Sequence, residues 1–207
     1  MKLLRRPFRY RNDNLALVLI GLNIGVFLLQ MVYPPVKYYA ALNPGAVLHG
    51  WIWQFVSYMF AHGNVSHLLF NMLALFIFGT QVEHRMGSKE FLLYYMLTGI
   101  LAGGFSFGVY WLTGAYGVFL LGASGAIFAV QLAYATLFPD AVIYIWGILP
   151  VRAPIMVLGF TVIEIVSSFI GLSSGVAHLT HLAGFAWGWI YFLIRFGENP
   201  WNSLTSR

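Results

Sequence analysis

Cysteine is missing from all 207 residues, and this one absence removes a disulfide framework, a thiol nucleophile and thiolate metal ligation together. Charge is scarce as well: charged residues make up 8% of the chain, against roughly a quarter in soluble domains. With hydrophobic residues at 60%, a soluble globular fold is excluded and the chain reads as a membrane protein. Carboxylates number six, against eleven lysines and arginines. The net charge of +5 does not indicate nucleic acid, because the basic residues form no patch interleaved with aromatic side chains. Membrane topology accounts for them.

What is present is a series of long apolar runs. A spanning helix needs about 20 apolar residues, and the spans are expected over Leu15 to Val32, then about Val65 to Val82, Phe91 to Leu112, Gly122 to Phe138, Ala153 to Ile170 and Val176 to Ile194. Six runs leave no stretch for a separate soluble domain, so function is expected inside the bundle. The first run is too long for a signal-peptide core and lacks a small-x-small cleavage site, which makes it a span. Pro34 and Pro35 end it. Residues 34 to 61 carry Trp51, Trp53, Phe55, Tyr58 and Phe60, interrupted by Asn43, Pro44, Gly45 and Gly50. They read as a half-immersed loop with short helices at headgroup depth. Pro139 and Asp140 stop the fourth run, and Tyr144, Trp146 and Pro150 suggest an interfacial turn.

The expected organisation is a basic cytoplasmic segment over 1–13, an all-α membrane domain over 14–196 and a short cytoplasmic tail over 197–207. With the amino terminus inside, ten lysines and arginines face the cytoplasm and Lys37 alone faces out. Six spans return the carboxyl terminus inside.

That topology sets depths. Ser124, in Gly122-Ala123-Ser124-Gly125, falls in the first turn of the fourth run, roughly in the outer third of the bilayer. His181 lies at a similar depth in the sixth. His67 and Asn71, at i and i+4 on one face of the second, descend from the same side. Ionisable groups within spans are costly and face the bundle interior, which makes each a functional candidate. Gly184 and Gly188 share a face with His181 and permit a close helix crossing.

A serine hydroxyl becomes a nucleophile when a base takes its proton, and a desolvated, neutral histidine suits that task. His67, Asn71 and the Ser124 amide supply donors for an oxyanion. Gly122 and Gly125 leave room for a substrate backbone, and Phe128, one turn below Ser124, can stack on the imidazole. His62 lies off the His67 face and is expected to support the loop. Taken singly, Ser124 is a small packing residue, His67 and Asn71 are interhelical glue, and Gly184 with Gly188 is a packing seam. Those readings leave the shared depth unexplained.

Together these motifs resemble the rhomboid family of intramembrane serine proteases, over nearly the whole chain. The family pattern His-x4-His-x3-Asn stands as His62, His67 and Asn71, the Gly-x-Ser-Gly as Gly122 to Gly125, and the His-x-x-Gly as His181 and Gly184. Glu83 and Gly87 after the second run are also family-like. The resemblance implies a six-helix bundle with Ser124 as nucleophile, His181 as base, and His67 with Asn71 as oxyanion stabilisers. It further implies cleavage of transmembrane segments of single-span proteins, a dyad without a carboxylate, no cofactor and no metal. Water is expected to enter below the loop Gly171 to Gly175, with the fifth span as lateral gate. Partners are then transmembrane substrates and membrane lipids, and the location a bacterial cytoplasmic membrane. Nothing in the sequence sets the oligomeric state.

Two positions depart from the family: Trp53-Gln54 replaces a common Trp-Arg, and His178 is an extra histidine one turn before His181. Glu164, in the outer half of the fifth run, is expected to hydrogen-bond within the bundle as a neutral acid, with orientation of His181 as the lesser alternative. Two other functions remain to be weighed. One is a non-catalytic rhomboid-like protein that binds transmembrane helices, although such relatives typically lose the serine or histidine. The other is a metal or cation site built from His62, His67, His178 and His181, disfavoured because no carboxylate ligand is expected nearby.

Overall fold

A computed structural model describes residues 5–6, 8–145, 147–170 and 175–205, without the side chains of 169–170 and 175–177. The protein is mostly helical. Helices α1 (Leu15–Val32), α2 (Val65–Met86) and α3 (Ser88–Leu112) are long and apolar enough to cross a membrane. Three shorter helices follow: α4 (Ser124–Leu137), α5 (Ala153–Ile170) and α6 (Gly175–Tyr191), the last continued by a π-helical turn to Phe196.

Several boundaries differ from expectation for identifiable reasons. The second span runs to Met86, past the expected end at Val82, because Glu83 is buried and does not meet solvent. Its carboxylate accepts the backbone N–H groups of Leu15 (2.7 Å) and Ala16 (2.8 Å) at the start of α1, and the Ser88 hydroxyl at 2.5 Å. A negative charge thus satisfies the orphan amides of a helix N-terminus. Gly87, at φ +86°, makes the break before α3, which begins at Ser88, earlier than the expected Phe91. Helix α4 begins at Ser124 itself, because Gly122 has φ +121° and cannot continue a helix.

The expected interfacial turn after Pro139 is a two-stranded antiparallel hairpin, β1 (Val142–Ile145) with β2 (Leu149–Arg152), in which Val142 pairs with Arg152 and Ile145 with Leu149. The β-branched run Val142, Ile143 and Ile145 favours this pleated pairing. Trp146 lies outside the described residues. Between α1 and α2 the chain forms short helices over Pro35–Ala40, Pro44–Leu48 and Gln54–Ser57, and a 3₁₀ turn over Tyr58–Phe60. Asn43 accepts the Ala46 N–H and donates to the carbonyls of Tyr116 and Val118, which ties this loop to the segment before α4.

The core sits around α4, whose Ala126, Ala129, Val130, Leu132 and Ala133 are buried. Helix α6 packs most closely on it: a Cβ at Gly184 would fall inside the carbonyl oxygen of Gly125. At the other end of α6, Arg195 binds Glu90 of α3 through two 2.7 Å hydrogen bonds, and Tyr191 also donates to Glu90. The 14 residues of α4 give it a length of about 21 Å at 1.5 Å per residue, well short of the roughly 30 Å hydrocarbon core.

Candidate active site

Ser124 is the first residue of α4, and the residue before it, Ala123, supplies no capping side chain. The first amides of the helix thus keep their capacity to bind an anion, reinforced by the helix dipole. A cavity of about 340 Å³ opens there, lined among others by His67, Asn71, Ser124, Phe128, Glu164 and His181. Four helices contribute to it. A second groove, about 260 Å³ between α3 and α6, is almost wholly apolar and holds no pair of nucleophile and base.

The Nε2 atom of His181 lies 2.7 Å from the Ser124 Oγ. Three packing features hold the imidazole there. Its ring is stacked on Phe128, with centroids 4.6 Å apart and planes inclined by 6°. Gly184, one turn on, allows α6 to touch the Gly125 backbone. Thr180, adjacent to His181, shares a 2.6 Å hydrogen bond with Ser106 of α3.

Across the cavity, Asn64 caps α2 by accepting the His67 N–H at 2.8 Å and so fixes the turn that carries His67. The His67 ring packs on the Cα of Gly122: a Cβ added there would be 2.7 Å from both Cε1 and Nε2. Asn71, on the same face, is buried, and its Nδ2 has no partner among the described residues. A buried, unpaired donor costs free energy, so its retention beside a serine and a base fits a group meant for an incoming acceptor.

His62 is placed behind this wall and outside the cavity lining. Its backbone makes a reciprocal pair with the Gln30 amide of α1, both bonds 3.1 Å, and its ring stands edge-on to His67 at 5.1 Å. Burial, and secondarily His67, pushes the His62 imidazole down to about 4, so it is neutral at physiological pH. Gln54, which departs from the family's common Trp-Arg, is fully buried and accepts the Asn43 N–H at 3.0 Å. A neutral amide fits that position without an unpaired charge.

Glu164 does hydrogen-bond within the bundle, its Oε2 lying 2.5 Å from His178 Nδ1, and the lesser alternative also has a contact behind it, since Oε1 is 3.1 Å from His181 Nδ1. One expectation requires correction. The metal reading was discounted for want of a nearby carboxylate, yet Glu164, His178 and His181 bring three potential ligand atoms within 4.8 Å of one another. His178 accordingly faces Glu164, while the Ser124 contact is made by His181. The depth of Glu164 is readable from its place in the fifth run. Its partners are not, because they depend on the rotation of α5 about its own axis. The loop Gly171 to Gly175, expected to roof the cavity, falls on 171–174, outside the described residues.

The chain is similar to known proteins. A family model for the Rhomboid domain matches residues 49–198. The rhomboid protease AarA of Providencia stuartii is 28% identical over 194 residues, which cover 82% of this chain and 68% of the relative. The putative rhomboid protease YdcA of Bacillus subtilis is 28% identical over 144 residues, 70% of this chain and 67% of the relative. The mitochondrial RHOMBOID-like protein 12 of Arabidopsis thaliana is 34% identical over 151 residues, 63% of this chain but 43% of the relative.

Proposed function

The chain belongs to the rhomboid family of integral membrane proteins, and from that premise we propose that it is an intramembrane serine endopeptidase acting through Ser124 and His181. The observation that carries this reading is the 2.7 Å contact between Ser124 Oγ and His181 Nε2, in a cavity that also holds the Asn71 Nδ2, which has no partner among the described residues.

In the first step His181 Nε2 takes the hydroxyl proton as Oγ bonds to the scissile carbonyl carbon, and the carbonyl π electrons move onto oxygen. That oxyanion is met by Asn71 Nδ2, His67 and the Ser124 N–H, and one such donor is worth roughly 3 kcal/mol. Collapse of the intermediate expels the amine, which receives the proton from Nε2, and leaves an acyl-serine. Water, deprotonated by the same Nε2, then attacks the ester, and the serine recovers its proton as the acid departs. Substrate must arrive extended, because the peptide bonds of a helix are enclosed by their own turns.

The six helices α1–α6 are assigned as six spans, with 34–61 half immersed on the outer side, 1–13 and 197–207 in the cytoplasm, and 14–196 as the membrane domain. The lysine and arginine bias, ten inside against Lys37 outside, supports this orientation. The short α4 then carries Ser124 below the outer surface, reached by water from that side and by substrate through the lipid. A bacterial cytoplasmic membrane and single-span substrates with small residues at the cut complete the assignment.

Reconstitution into liposomes with a single-span reporter peptide tests it. Cleavage by the wild type and none by Ser124→Ala or His181→Ala is expected. A reporter bound but never cut by folded wild type would identify a helix-binding protein instead.

A further inference from the structure

The carboxylate beside the candidate base has no place in a two-residue mechanism, and its geometry is specific. Glu164 is carried by α5, whereas Ser124 and His181 belong to α4 and α6. It is half-sheltered, with its side chain 14% exposed, beside His178 at 16% and His181 at 18%. A carboxylate so withdrawn from water needs partners, and it has two: His178 Nδ1 at 2.5 Å on Oε2 and His181 Nδ1 at 3.1 Å on Oε1. The two histidines are three residues apart, so successive faces of one helical turn address the two oxygens of one side chain.

The shorter of these spacings argues for hydrogen bonding over metal ligation. Donor atoms around a tetrahedral zinc ion at about 2.0–2.1 Å lie roughly 3.3 Å apart, whereas Oε2 and Nδ1 at 2.5 Å are too close to be two ligands of one ion and are within hydrogen-bonding distance. His178 is thus the donor that anchors the carboxylate. The contact to His181 Nδ1, at 3.1 Å, falls short of the alignment of a full hydrogen bond. The ring is already close to the arrangement in which Nδ1 carries the proton and Nε2 presents its lone pair to the Ser124 hydroxyl.

We propose that Glu164, anchored by His178, is a positioning residue that completes a Ser124–His181–Glu164 triad. The carboxylate selects the tautomer with hydrogen on Nδ1 and stabilises the imidazolium that forms when Nε2 takes the serine proton, and it is not itself protonated in the step. Because α5 carries it, the alignment of the base depends on where α5 sits. The other ionisable groups facing this ring are His178 on its own helix and His67 across the cavity from α2. This inference rests on the proteolytic reading of the same site.

The test is the pH profile of kcat for reporter cleavage by liposome-reconstituted wild type, Glu164→Gln, Glu164→Asp and His178→Phe, with fluorophosphonate labelling of Ser124 measured in parallel. Glu164→Gln is expected to lower kcat by about 10- to 100-fold, the size of one charge-assisted hydrogen bond. It should also move the acid limb to lower pH, since the imidazolium loses its counter-charge. Glu164→Asp should recover part of the rate and the limb, and His178→Phe should fall between wild type and Glu164→Gln. A merely structural carboxylate would lower folded yield and leave the acid limb of the folded fraction in place. Wild-type kcat and pH profile in Glu164→Gln would overturn the triad and leave the dyad standing. Loss of wild-type activity to a strong chelator would overturn it in favour of a bound metal. Absence of both cleavage and labelling in wild type would instead sink the proteolytic reading on which the triad rests.

Discussion

Alanine at position 122 tests how tightly the wall of the cavity is built. The backbone there has φ +121°, a conformation that costs a residue with a Cβ about 1–3 kcal/mol. The new methyl would also stand 2.7 Å from Cε1 and Nε2 of His67, where ordinary contact begins near 3.4 Å, an overlap of about 0.7 Å. Ser124 Oγ, at 3.7 Å, has room. The imidazole must therefore retreat by about 0.7 Å, or the loop must shift and take Ser124 with it. Either movement spoils the geometry around the developing oxyanion, and misplacement on that scale costs up to ~10²-fold in rate. Gly122→Ala is expected to lower kcat for reporter cleavage by about 10- to 100-fold and to lower the Tm. Gly159→Ala, where no atom lies within 4 Å of the new methyl, is the control and should leave kcat unchanged without lowering the Tm. A Gly122→Ala enzyme with wild-type kcat and Tm would show that His67 is not held against this backbone.

Three further outcomes follow from the packing and the charges. Gly184→Ala drives a methyl into the Gly125 carbonyl, so it should separate α6 from α4, lower Tm and slow fluorophosphonate labelling; a wild-type labelling rate would mean that the two helices are not in contact there. Glu83→Gln removes the charge that accepts two α1 amides and the Ser88 hydroxyl, and should destabilise by about 1–3 kcal/mol in chemical denaturation. Labelling of its folded fraction should match wild type, since Glu83 is not part of the Ser124 cavity. His62, held down to about 4 in the fold from an ordinary 6.5, binds a proton more readily in the unfolded chain. Its contribution is therefore complete above pH 6.5 and is lost as pH falls toward 4. His62→Asn should flatten the slope of Tm against pH in that window, and an unchanged slope would contradict a buried neutral imidazole.

Much of the fold is legible in the sequence because apolar runs report spans directly. Helix α1 occupies the expected Leu15–Val32 because Pro34 and Pro35 prevent its continuation. The ends of α2 and α3 are less legible, because charge ordinarily marks an exit from the bilayer and Glu83 instead turns inward onto α1. The hairpin β1–β2 is hidden for another reason: four-residue strands leave too few alternating positions to stand out beside Tyr144, Trp146 and Pro150.

At the candidate site, depth along each helix is readable from residue counts, and Ser124, His181, His67 and Asn71 do line one cavity. Rotation of each helix about its axis is not readable. That rotation decides that Glu164 meets His178 and His181 and that His62 stands behind His67, outside the lining. Packing supplies it: Gly184 sets how closely α6 approaches α4, and Phe128 sets the plane of the imidazole. A carboxylate two-thirds of the way along α5 then meets both rings.

Fluorophosphonate labelling of the detergent-purified protein, with the adduct located by mass spectrometry, tests whether Ser124 is an activated nucleophile. A single adduct on Ser124 is expected, absent in Ser124→Ala and slowed to background in His181→Ala. No adduct on folded wild type, or an adduct that forms at the same rate without His181, would contradict that activation.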